Sequence, residues 1–176
     1  MNLVLVLFIL LICIFIALQD FKYRAVAWYL FPLLAFFVLT FGYVEGIALK
    51  KLILFFEVNL IVVFFQLFFL TIYFSIKNKK MFMPINEIIG LGDILFLIIL
   101  CFAFSPINFI LFVIIALFLT LLIILIIRKG KFDNQYKIPM AGYLSVFYSI
   151  VLIVFYYLLG INLYKDHFTE IILNTI

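Results

Sequence analysis

The stretch PINFILFVIIALFLTLLIILII (106–127) runs for 22 residues without a charged side chain. A helix of that length, rising about 1.5 Å per residue, crosses a hydrocarbon core of about 30 Å. Its apolar residues are continuous and do not alternate, which excludes a barrel strand. Just upstream, FSPIN (104–108) reads as a tight turn, with Pro106 in the first turn of the next helix. Similar apolar runs recur at about 2–18, 26–43, 52–75, 87–104 and 140–161.

The chain is therefore expected to be an all-α, polytopic membrane protein. Six transmembrane helices form one bundle over residues 1–161. A short extracytoplasmic tail, 162–176, would follow as an interfacial amphipathic helix. Of the 176 residues, 70% are hydrophobic and 11% charged, which leaves too little polar surface for a second, soluble domain. The first segment, MNLVLVLFILLICIFIAL, lacks a positive leading region, and its apolar run is too long for a signal peptide. It reads as a retained helix.

The net charge of +4 does not indicate a nucleic-acid surface, because the cations sit in short loops beside apolar runs. Lys22 and Arg24 follow the first segment, and Lys77, Lys79 and Lys80 follow the third. Arg128, Lys129, Lys131 and Lys137 follow the fifth. These nine lie on one side of the bilayer, and Lys50, Lys51 and Lys165 on the other. The positive-inside rule then places the first side in the cytoplasm and both termini outside. No group of His, Cys, Asp and Glu has metal-ligand spacing, so neither a metal nor a cofactor is expected. Cys13 and Cys101 read as small packed side chains, and the single histidine, His167, as a surface residue of the tail.

Glu45, Asp133, Asp166 and Glu170 fall in loops or the tail and read as solvated. Glu87 suits the start of helix four. Glu57, two turns into helix three, could snorkel, pair with Lys50 or Lys51, or be protonated. Asp20 and Asp93 are different. Each has a local explanation: Asp20 pairing with Lys22 or Arg24 at a helix end, and Asp93 capping a helix that begins at Ile94. Topology adds that the end of helix one and the start of helix four share the cytoplasmic side. A helix from Ile94 to Phe104 spans only about 16 Å. Helix four must then start earlier, near Asn86, or the bilayer must be thin there. Either way Gly90, Gly92 and Asp93 lie at membrane depth, where an acid is a functional candidate.

Two adjacent carboxylates do not both ionise easily, so one holds a proton while the other is charged. The charged one can take a proton from water while the other hydrogen-bonds a carbonyl oxygen, which is the chemistry of aspartic peptide hydrolysis. Gly90 and Gly92 would permit unusual backbone angles and let an extended peptide approach closely.

These residues resemble those of the type IV prepilin peptidases and archaeal preflagellin peptidases, the GxGD intramembrane aspartic proteases. GLGD (90–93) matches the GxGD motif, DFKYR (20–24) looks like the first aspartate motif, and KIPMAGYLS (137–145) is similar to the stretch that opens the last helix. The resemblance covers about residues 1–160. It implies Asp20 and Asp93 as catalytic residues and Pro139 and Gly142 as residues that position the last helix near the site. The implied substrates are pilin-like precursors, with a basic leader and then an apolar helix, cut at the cytoplasmic face of a prokaryotic inner membrane. RAVAW (24–28) lacks the Pro or Asn common in the family, and Leu95 stands where a lysine is common. The methylation region with paired CxxC motifs is absent, so a peptidase core alone is expected. A non-catalytic relative that binds pilin-like helices, and a small proton or ion carrier using the aspartate pair, are the competing readings.

Overall fold

The computed structural model describes residues 2–79, 89–128 and 138–166, and these are almost entirely helical. Helix α1 is Asn2–Tyr23, α2 Leu30–Val44, α3 Leu49–Asn78, α4 Leu91–Leu100, α5 Pro106–Arg128 and α6 Met140–Val151. A π-helical segment, Leu152–Leu158, continues α6. Among the described residues, four helical stretches are long and apolar enough to cross a membrane: Leu3–Tyr23, Leu49–Lys77, Pro106–Ile127 and Met140–Leu158. Helices α2 and α4 are shorter, and the ten residues of α4 extend only about 15 Å.

Helix four thus differs from the expected segment 87–104. Gly90 has an extended backbone (φ −70°, ψ 150°), so no continuous helix runs from Asn86 through Asp93. Asn86 and Glu87 themselves lie outside the described residues. Apolar composition cannot mark this start, because the residues on either side of Gly90 are equally hydrophobic.

The core forms where α1 meets α6 and α2. On α1, Ile9, Ile12, Cys13, Ile16, Ala17 and Asp20 are buried, a stripe at helical spacing. Helix α6 faces it with Ala141, Gly142, Leu144, Ser145 and Tyr148. Small residues on both stripes let the backbones approach, which is how helices gain contact where lipid removes the hydrophobic drive. The two serine hydroxyls at this interface are satisfied locally. Ser145 Oγ donates to Gly142 O at 2.8 Å, and Ser149 Oγ to Ser145 O at 2.8 Å.

The last carbonyls of α4 accept amides of the turn that follows, and the buried carbonyls of that turn need donors in their place. Asn59 of α3, fully buried, supplies them: Nδ2 donates to Cys101 O and Phe104 O, both at 3.0 Å. The turn at 104–108 forms as expected, with Pro106 as the first residue of α5. Residues 162–166 are not the expected helix but a strap over this turn. Asn108 Nδ2 donates to Leu163 O and Lys165 O at 3.0 Å, Ser105 N donates to Leu163 O at 3.1 Å, and Ser105 Oγ donates to Asp166. Asp166 is therefore bound rather than simply solvated. The same holds for Glu45, which accepts from the Tyr156 hydroxyl. His167, Glu170, Asp133, Lys80, Lys129, Lys131 and Lys137 lie outside the described residues. Glu57 is exposed on α3 and forms no ion pair with Lys50 or Lys51 among the described residues.

Candidate active site

Helix α6 begins after Pro139, and no side chain of its own caps its first turn. Its leading amides therefore need acceptors from elsewhere. Two carboxylates provide them. Asp93, on α4, accepts the Ala141 N–H at Oδ1 with N···O 2.6 Å, and Asp20, on α1, accepts the Gly142 N–H at Oδ2 at 2.7 Å. The positive end of the α6 dipole favours negative charge at this point.

Consecutive amide nitrogens are less than about 4 Å apart, so the two bound carboxylate oxygens lie within about 9 Å of each other. Both side chains are nearly buried, Asp20 at 7% and Asp93 at 6% exposure. They line one cavity of about 120 Å³, with Arg24, Gly90, Gly92 and several apolar side chains around them. That volume holds several water molecules.

Asp20 does not end helix one. The helix continues to Tyr23 and places Asp20 in its last full turn, closed by a bond from Arg24 N to Asp20 O at 3.0 Å. Asp93 is not the N-cap of a helix starting at Ile94. Gly90 holds that position, and Asp93 is the third helical residue, reaching back to accept the Gly90 N–H at Oδ2 at 2.9 Å. Both Asp93 oxygens thus accept backbone amides, and the carboxylate is fixed between α4 and α6.

The glycines act through space rather than through angle. Neither Gly90 nor Gly92 has a left-handed φ. A Cβ on Gly90 would come within 3.2 Å of Asp93 Oδ2, so the missing side chain makes room for the carboxylate. A Cβ on Gly92 would meet Phe31 at an ordinary 3.5 Å. Gly142 is the tightest of the three: a Cβ there would meet Phe21 Cε1 at 3.1 Å and Asp20 Oδ2 at 3.2 Å. Pro139 is the residue before α6, with φ −76° and ψ 74°.

The structure therefore brings together Asp20, Asp93, Gly90, Gly92 and Gly142. Sequence reasoning missed the amides of Ala141 and Gly142 as the groups that join the pair. One signal was present: IPMAG (138–142) starts a helix with no Ser, Thr, Asp or Asn to cap it. Among the described residues, no group of three or more His, Cys, Asp and Glu is placed to hold a metal ion. No family model matches the chain, and neither a curated protein nor a solved structure matches it.

Proposed function

We propose that this protein is an intramembrane aspartic endopeptidase of the prepilin peptidase type, with Asp20 and Asp93 as its catalytic pair. The supporting observation is that carboxylates from two helices accept consecutive amides, Ala141 and Gly142, and line one cavity with room for several waters. In this reading α2 and α4 complete a six-helix bundle with the four long spans. The pair then lies near the cytoplasmic face of a prokaryotic inner membrane.

The reaction follows from the pair. The ionised carboxylate takes a proton from a water as its oxygen attacks the amide carbon. The protonated carboxyl hydrogen-bonds the carbonyl oxygen as charge develops there. The tetrahedral carbon then collapses, the C–N bond breaks, and a proton from the pair goes to the departing amine. No covalent enzyme intermediate forms. The shortness of α4 suits this chemistry, since Gly90 leaves extended backbone beside the acids where a full helix would fill the space. The substrate class is a pilin-like precursor whose helix is unwound at the leader junction.

One observation favours a second reading. The same two hydrogen bonds cap α6, so the acids could serve the fold alone. Cleavage decides between them. Purified protein in liposomes, given a pilin-type precursor, is expected to release the leader at its junction with the apolar helix, read by mass spectrometry. Folded protein that cuts none of a panel of such precursors would leave only the capping role.

A further inference from the structure

We propose that Arg24 is a substrate-binding residue, whose guanidinium donates hydrogen bonds to the backbone carbonyl oxygens of an extended peptide in the Asp20–Asp93 cavity. This rests on the peptidase reading of that cavity.

Arg24 has φ +56°, in the left-handed region. It ends α1 through its own N–H, which bonds to Asp20 O. Helices ordinarily place glycine or asparagine at this position, because a Cβ is penalised there. The backbone therefore does not account for a long side chain at 24. The cavity does. Arg24 is exposed and lines the same space as Asp20 and Asp93. The two acids are acceptors when ionised, and Val26, Ile89, Leu91 and Ile138 offer no side-chain polar group. The nearby amides of Gly90, Ala141 and Gly142 already bond to the carboxylates.

A peptide unwound for cleavage exposes carbonyl oxygens that need donors at this depth. The guanidinium carries five N–H groups and a permanent charge, and it is the lining side chain that can serve them. It also faces the pair from the end of the same helix that carries Asp20, so a peptide held by it lies alongside the acids.

The test pairs R24G with R24K. Glycine relieves the left-handed backbone, so R24G should have a melting temperature at or above that of the parent protein. Binding is measured on the D20N background in nanodiscs, with a fluorescent precursor segment carrying a basic leader and an apolar helix. R24G is expected to weaken binding about tenfold, and R24K to recover part of it. In the active protein, R24G should raise KM more than it lowers kcat. Equal binding by D20N and D20N/R24G would overturn the inference, as would a melting temperature that falls in step with binding, or a D20N protein that binds no precursor. A parent protein that binds through Arg24 yet cleaves nothing would sink the peptidase reading and leave Arg24 as a binding residue.

Discussion

Asp20 and Asp93 meet at one turn of a helix to which neither belongs: Asp93 takes the amide of Ala141, and Asp20 takes the next one, Gly142. Three helices are thereby fixed to each other by backbone amides and carboxylates. Asparagine at 20 preserves the acceptor for the Gly142 amide, asparagine at 93 keeps one acceptor for the two amides that Asp93 serves, and alanine removes them. D20N is expected to stay within about 1 kcal/mol of the parent in stability, whereas D93N, D20A and D93A lose about 1–2 kcal/mol. Thermal unfolding in detergent reads the difference, and equal melting of D20N and D20A would contradict the capping geometry.

The three glycines should part company on substitution. G142A pushes a methyl group against Asp20 Oδ2 and Phe21, so cleavage should fall at least about tenfold through displacement of Asp20. G92A meets only an ordinary contact with Phe31 and removes a glycine from a helix, so it should be neutral or stabilising by about 0.5–1 kcal/mol. Melting curves and initial rates for the two variants, taken side by side, check both. A G92A protein less stable than G142A would show that the helix contacts are misassigned.

Asn59 holds the turn that follows α4. In N59L the carbonyls of Cys101 and Phe104 lose this buried donor, at a cost of about 2–3 kcal/mol. Because α4 carries Asp93, the cleavage rate should fall together with stability. Unchanged unfolding of N59L would mean that these carbonyls do not depend on α3.

The Tyr164 hydroxyl is buried and has no hydrogen-bond partner among the described residues. Burial also pushes it well above the ordinary tyrosine range, so it stays neutral at physiological pH. Y164F removes the orphan group and keeps the ring against Phe41. It should be neutral or stabilising by about 1 kcal/mol, measured by thermal unfolding. A clear loss of stability would reveal a partner for the hydroxyl.

Much of the helical layout was legible because lipid imposes a simple rule: long uncharged runs become helices. The run at 106–127 and the turn at Pro106 follow it closely. The start of α4 does not, because the helix begins after the extended Gly90, inside an apolar segment, and hydropathy has no means to register that. The strap at 162–166 was illegible for a related reason. Its bonds to Ser105 and Asn108 are tertiary, and its mixed composition suits an amphipathic helix equally well. For the site, charge counting and helix order put Asp20 and Asp93 at one end of the bundle, and the structure joins them there. The connecting atoms are backbone amides, which side-chain motifs do not encode. The unusual backbone angles expected of Gly90 and Gly92 are not found: Gly90 makes room for Asp93 with an ordinary extended backbone, and Gly142, inside α6, makes room for Asp20.

The central claim is that the two carboxylates carry out peptide hydrolysis as a pair. It is tested most directly by leader release from a pilin-type precursor in proteoliposomes, comparing the parent protein with D20N and D93N at matched folded amounts. The account predicts leader release by the parent and a fall of about 10³-fold or more in each variant, with the melting temperature of D20N preserved. Release at the parent rate by either variant would contradict it.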